Sequence, residues 1–473
     1  MKIVNAFAKA ALACFWVCAF LAAEAPEKKP APAPSAPPKV ESPAPKPSAA
    51  PPKAEPPKPA PPKPEPPTPP APAGPPAIAP RKQSLAIPVV AAPSGQPAPS
   101  VDCVVAFGPV VPVSAVAFSP DGKILAAAGY QEVLLWDLAD AKLLKRIDVG
   151  QLGDSVRAMA FSKDGRLLAA AEGTPYASGA VRLLDVGTGQ AVHSFQEPKE
   201  VACALALSPD GKLLAAGGAD RTAYVWNLDD KKLLATLKEQ ADWVLGVSFS
   251  PNGKFLATTS ADKSLQIWEV GTWKPLAKVQ QTEAVCGAAF SPDGELLALA
   301  IGGPEERAVR IRRRDNGQEV RVMDLAASLP LDVVWAAKPN RIYVPSSDKT
   351  IKVFDGGNFN LVANLSGHGD WVYRVALSAD GTKLASSSAD GTVRLWSTAD
   401  HRLLATFYQL SPRTEEWLIV APQGYLATSS PGAIQWKTAN VKTSADKLPG
   451  LVQRPELVRE AIAGNKVAPL ALQ

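Results

Sequence analysis

Histidine is almost absent from this 473-residue chain: His193, His368 and His401 are the only three, and they lie far apart. Metal centres and general acid–base catalysis draw on gathered His, Cys and carboxylate side chains, and no such spacing can be read here. Cysteine is scarce as well. Of five, Cys14 and Cys18 fall before Glu24, leaving Cys103, Cys203 and Cys286 with no CxxC or CxxCH spacing. That excludes a zinc ribbon, covalent haem attachment and a disulfide framework, and no cofactor or metal is expected. No aromatic residue occurs between Phe20 and Phe107, so that stretch has little from which to build a core. The apolar run from Ala10 to Ala23 falls short of the ~20 residues that cross a bilayer.

Positive charge is also missing where a nucleic-acid binder would need it. The net charge is +5, but Lys2 and Lys9 stand before Glu24, and the stretch 24–100 holds nine basic against five acidic side chains. Residues 101–473 are left one negative charge from neutral. A nucleic-acid surface needs a basic face on the folded part, so no nucleic-acid partner is expected.

Residues 1–23 have the form of a secretory signal peptide: Lys2 and Lys9, then the apolar run, then Ala22-Ala23 before Glu24. An exported protein of the periplasm or cell envelope follows, with retention by an uncleaved leader as the only membrane attachment. Residues 24–100 carry 29 of the 48 prolines, in runs such as PPKAEPPKPAPPKPEPP. This composition reads as a disordered, extended polyproline linker. Fully extended, it could reach on the order of 200 Å.

From Val101 the chain changes to short apolar runs punctuated by turns. The stretch Gly367–Ser397, GHGDWVYRVALSADGTKLASSSADGTVRLWS, holds three alternating strands separated by Asp-Gly turns. Its last apolar position recurs at Trp136, Leu184, Trp226, Trp268, Arg312, Phe354 and Trp396, at nearly even intervals, with Trp436 one interval further on. The turn Ser-Pro-Asp-Gly recurs at 119–122, 162–165, 208–211, 250–253, 291–294 and 378–381, with changes only at the second and third places. Proline presets φ, aspartate accepts a local backbone hydrogen bond, and glycine supplies positive φ. A regular period of roughly 40 residues marks a repeat architecture.

The pattern V-x-x-V-x-F-S-P-D-G-x-x-L-A, followed by a tryptophan at the end of the third strand, resembles the WD40 repeat, four strands per blade of a β-propeller. The resemblance covers about residues 101–440 and implies an all-β propeller, followed by a tail, 441–473, with a short helix over PELVREAIA ending at Gly464. Leu457, Val458, Ala461 and Ile462 are expected to face the propeller. The stretch Trp417–Trp436 has the strand order of one more repeat but no fourth strand, and Val101–Phe107 has the look of a fourth strand without its first three. Together they favour eight blades, closed by both ends of the chain; the alternative is seven, with Trp417–Trp436 packed outside.

The family's polar tetrad is complete in one repeat only: His368, Ser386, Asp390 and Trp396, a structural clamp rather than a catalytic set. The resemblance also places the channel mouth four residues before each turn phenylalanine, at Ser114, Arg157, Cys203, Leu245, Cys286, Leu331 and Tyr373, with Glu416 for an eighth unit. This ring has no carboxylate pair and no nucleophile beside a base. It suits a side chain or peptide inserted by a protein partner. Two lengthened loops, Glu172–Gly179 and Gly302–Arg307, are further contact candidates. The arginines 307, 310, 312, 313 and 314 form either a dock for an acidic partner or a solvated blade edge. The reading is a monomeric, exported, non-catalytic interaction scaffold; the alternatives are a propeller subunit of an envelope redox or transport assembly, and a propeller enzyme or small-ligand binder.

Overall fold

A computed structural model describes residues 81–87, 100–147, 155–174, 176–439 and 447–471. The signal peptide and most of the linker fall outside these residues. Seven antiparallel blades, each with four strands of its own, follow one another along the chain: blade 1 (115–147), blade 2 (155–195), blade 3 (202–237), blade 4 (244–280), blade 5 (285–324), blade 6 (334–365) and blade 7 (372–409). Each blade is one uninterrupted segment. The first strand of each is innermost and packs against the first strands of its neighbours, and blade 7 meets blade 1 in the same way. The ring therefore closes with seven blades.

The turns explain why the strands recur so evenly. In blade 1 the Ser119 hydroxyl donates to Asp121 Oδ1 at 2.6 Å and accepts from the Ile124 amide at 2.9 Å, while Gly122 takes φ of +69°. The same bonding recurs at Ser162–Asp164, Ser208–Asp210, Ser291–Asp293 and Ser378–Asp380, and with Asn252 at Ser250. The serine hydroxyl holds Asp121, Asp164, Asp210 and Asp293 below the usual carboxylate range. A hydrogen-bonded carboxylate of this kind ties the turn to its own side chain. Between blades the alternating apolar residues are buried, with Trp136, Trp226, Leu168, Leu214 and Leu256 essentially inaccessible.

The expected eighth blade is split in two. Trp417–Val420 and Leu426–Thr428 add to the outer edge of blade 7, making it six-stranded. A single 3-10 turn at Pro431–Ala433 then turns the chain away instead of closing a hairpin. Gln435–Ala439 pairs instead with Ser100–Phe107, whose other edge carries Arg81–Ile87. The pairing of the two chain ends is thus present, but as a separate three-stranded sheet and not as a blade. Its third strand comes from residues that the composition assigns to the linker. Blade 7 already holds its own fourth strand, Leu403–Gln409, so Val101–Phe107 has no place in the ring.

Helix Pro455–Ala463 follows, with Gly464 at φ +90° in the left-handed region that ends helices. Val458, Ala461 and Ile462 are buried and Leu457 half-buried. The three buried residues join one apolar cluster with Trp136 and Leu125 of blade 1 and with Leu395 and Phe407 of blade 7. The segment after blade 7 thus clasps the seam where the ring closes. Polar contacts reinforce it: Glu132 of blade 1 accepts from Gln409 Nε2 at 3.0 Å, and Arg413 Nη2 donates to Gln131 Oε1 at 2.9 Å.

Candidate functional site

The seven residues predicted at the channel mouth are all buried, with exposures of 2–6%. Five of them, Arg157, Cys203, Leu245, Cys286 and Tyr373, are the extra residue at a register shift, a β-bulge, in the innermost strand of blades 2, 3, 4, 5 and 7. A bulge inserts one residue and re-aims the side chains around it. Cys203, Leu245, Cys286, Leu331 and Tyr373 belong to one apolar cluster with Val201, Trp243 and Leu329. Burial, and next the nearby Asp370, pushes the Tyr373 hydroxyl up to about 12. The Ser114 hydroxyl is turned to the carbonyls of Ala128 and Val156 at 3.3 and 2.5 Å. The expected open ring is therefore a plug. Glu416, offered for an eighth unit, lies beside the outer strands of blade 7, where its carbonyl accepts from Leu410 N at 2.9 Å.

The residues that line the channel stand one position later. Ala115, Ala158, Ala204, Gly246, Gly287 and Arg374, from six blades, and Asp332, just before blade 6, border a cavity of about 490 Å³. Five of the seven are alanine or glycine, which keeps the channel wide. The two exceptions form an ion pair: Arg374 Nη1 lies 3.0 Å from Asp332 Oδ2. The same guanidinium reaches across the channel, and Nη2 donates to the Cys203 carbonyl at 3.3 Å. Gly287 makes room for this brace, because a Cβ there would lie 2.7 Å from Asp332 Oδ1. Toward the turn face, Leu205, Val247, Ala288, Val334, Trp335 and Ala376 are half-buried, whereas Ala204, Gly246 and Gly287 beneath the plug are buried. Among the described residues, the channel is thus a well, stopped at the plug and reached by solvent from the turn face.

The tetrad of blade 7 comes together. His368 Nδ1 lies 2.9 Å from Asp390 Oδ2, His368 Nε2 lies 2.8 Å from Ser386 Oγ, and Trp396 Nε1 donates to the same hydroxyl at 2.9 Å. Burial lowers the His368 pKa, outweighing Asp390. The neutral ring then donates from Nδ1 and accepts from Ser386 at Nε2. Burial opposes the charge of Asp390, but His368, Thr392 and the Gly369 amide outweigh it and hold the carboxyl far below its ordinary range. The chain of bonds ties the outer turn to the third strand of the same blade and leaves no group facing the channel. It is a brace inside the blade, without an accessible nucleophile.

The arginine cluster of blade 5 is largely spent at home. Arg310 pairs with Glu306 and Glu319, Arg312 with Glu319, and Arg314 with Glu295 while stacking 4.2 Å over the Phe255 ring. That leaves little free charge for an acidic partner. In the first lengthened loop Tyr176 is 78% exposed and lies edge-on to Trp243 at 6.0 Å. Among the described residues no three His, Cys, Asp or Glu side chains gather as metal ligands.

The comparisons agree with this architecture. WD40 repeats are present: the family model described as WD domain, G-beta repeat matches residues 102–137, 189–227, 231–269 and 359–397. Three of the matches run from the outer strand of one blade through the first three strands of the next, and the match 102–137 starts in strand Ser100–Phe107 before covering the first three strands of blade 1. The B-type cell cycle switch protein ccs52A of Medicago truncatula is 26% identical over 279 residues, 58% of this chain and 57% of that protein. The anaphase-promoting complex subunit cdh1 of Dictyostelium discoideum is 35% identical over 198 residues, 41% of this chain and 25% of that protein. The guanine nucleotide-binding protein subunit beta of Schizosaccharomyces pombe is 30% identical over 99 residues, 21% of this chain and 32% of that protein. The chain spans between a quarter and somewhat over half the length of these relatives.

Proposed function

We propose that this WD40 propeller is a non-catalytic protein-interaction scaffold whose partner enters the channel from the turn face. The observation that carries the reading is the solvent-reached well of about 490 Å³, walled by small residues from six blades around the single Arg374–Asp332 pair. A concave cavity with small side chains, exposed backbone and one convergent charged pair suits an inserted peptide segment or side chain. It offers no base beside a nucleophile, the arrangement that covalent or acid–base chemistry requires. Two of the similar proteins are named as subunits, which supports work within an assembly. The composition of residues 1–23 and 24–100 supports an exported protein, tethered in the periplasm or cell envelope and acting as a monomer.

The test is capture by the tagged full-length chain from an envelope fraction of the native organism, repeated with Ala288→Trp to fill the well and Arg374→Gln to remove its charge. A stoichiometric protein retained by the wild type and lost from both variants is expected. A protein held equally by all three, or turnover of a small molecule by the wild type alone, refutes the channel reading. Fractionation of the same tagged chain checks location; recovery in the cytosol with the leader intact disproves export.

A further inference from the structure

Two residues before the tryptophan position, the third strand of most blades carries a long polar side chain, and its partner is an acid on the adjoining strand or turn. Arg182 pairs with Glu172 in blade 2, and Lys352 with Asp348 in blade 6. The Tyr224 hydroxyl donates to Asp220 at 2.7 Å in blade 3. Arg310 binds Glu306 at 2.9 and 2.8 Å in blade 5. Blade 7 breaks the rule. Its acid, Asp390, is saturated by the tetrad: Oδ2 accepts from His368 Nδ1 and the Gly369 amide, and Oδ1 from the Thr392 amide and hydroxyl. Arg394, at the position of the paired side chain in those blades, makes no side-chain hydrogen bond or ion pair among the described residues, and its Nε is fully buried without a partner.

This guanidinium borders a cavity of about 210 Å³ between blade 7 and the strap that leads from the three-stranded sheet into blade 1. Gly367, at φ +141°, lies under it; a Cβ there would collide with Arg394 Nη1. Tyr408 offers a second donor, Thr392 and Gln409 also border the cavity, and Leu85, Phe107, Val110, Val111 and Pro412 form an apolar wall on one part of it. Asp390 also borders the cavity, but its oxygens are already occupied. Arg394 is half-buried, and leaving its buried Nε without a partner is costly; a planar fork with free donors recognises a carboxylate or phosphate best. The apolar wall favours the carboxylate, because it covers a short carbon chain.

We propose that this cavity binds a small organic carboxylate, its charge on Arg394 and its carbon chain against Phe107 and Val110. The shared chemistry is a carboxylate on a short apolar body, either a free acid or the end of a peptide chain. The site is separate from the channel and does not depend on what the channel binds.

The test is calorimetric titration of the full-length protein with butyrate, with inorganic phosphate at matched ionic strength, and with a short peptide ending in Val carried as the free acid and as the amide. Saturable butyrate binding is expected, weakened about tenfold or more in Arg394→Gln, since bonds to charged groups are the strong ones. Tyr408→Phe should weaken it less, and Arg182→Gln, at the matching position of blade 2, should leave it unchanged. Tighter binding of the free-acid peptide than of butyrate, with none of the amide, assigns the site to a chain end; the reverse order assigns it to a free acid. No saturable binding of either carboxylate, equal affinity in a folded Arg394→Gln, or phosphate binding tighter than butyrate overturns the proposal.

Discussion

Blade 7 and the other six blades share one repeat and treat their outer edges in opposite ways. In blades 1–6 the outermost strand is open, and Leu144, Val192, Leu234, Leu276, Val322 and Leu361 are 38–52% exposed. In blade 7 the same strand is covered by two further strands and a helix, and Leu404, at the position of Leu234, is 2% exposed. Blade 7 also holds the only complete tetrad among the described residues, beside the seam that the clasp secures. An identical strand pattern therefore becomes core or surface according to what the chain places on it, and the exposed residues of the repeat carry little of its stability.

Removing the cover should have the largest effect. Ending the chain after Leu410 exposes the Phe407 face and the seam beside Trp136, and is expected to abolish cooperative unfolding, read by near-UV circular dichroism and gel filtration. A monomeric truncation with an unchanged near-UV spectrum would show that the ring holds itself closed. Next, Leu404→Ser should cost about 3–5 kcal/mol, as for a buried large-to-small change that also buries a hydroxyl. Leu361→Ser, at the open edge of blade 6, should stay within about 0.5 kcal/mol. Urea unfolding of the pair measures the difference, and equal costs would mean that the open edges are covered in solution.

The tetrad provides the third contrast. Ser386→Ala strands both His368 Nε2 and Trp396 Nε1, at about 2–4 kcal/mol, whereas Thr258→Val in blade 4 strands only Trp268 Nε1, at about 1–2 kcal/mol. The bond lost in blade 4 is the 3.0 Å contact from Trp268 Nε1 to Thr258 Oγ1. A larger loss at Thr258 than at Ser386 contradicts the ranking of the two blades.

The smallest effect is the response to pH. Burial depresses the His368 pKa below its ordinary 6.5, so the unfolded chain takes up a proton first. Its contribution is fully present above pH 6.5 and is lost as the pH falls below that value toward the folded pKa. Stability should fall between pH 7 and 5 more steeply in the wild type than in His368→Gln. Part of the slope remains with His401, which burial also depresses. Parallel slopes for the two proteins would mean that His368 does not titrate in this window.

Much of this was legible in the residues, for physical reasons. The turns and the tetrad depend on particular donors at fixed separations, so Ser119–Asp121 and His368–Asp390 can be read from spacing. The bulge is different: an extra residue in one strand leaves no mark in the apolar pattern, and so the channel ring was placed one residue too early. A signal for the true ring existed, since Arg374 and Asp332 interrupt a series of alanine and glycine in the innermost strands. The blade count failed because Val101–Phe107 has the pattern of an outer strand, and pattern does not reveal that Leu403–Gln409 already fills the slot. Arg394 could not be identified as unpaired without seeing that the tetrad consumes Asp390.

That each blade is one uninterrupted segment bears on how the molecule is made. Almost every sheet contact joins residues close in sequence, which speeds folding and allows a blade to form as soon as its four strands have left the ribosome. The seam is the exception, where Glu132 must meet Gln409 across 277 residues. The entropy of closing such a loop grows only with the logarithm of its length. An open arc of six or seven blades can thus wait during synthesis until the segment after Gln409 arrives to lock it into a circle.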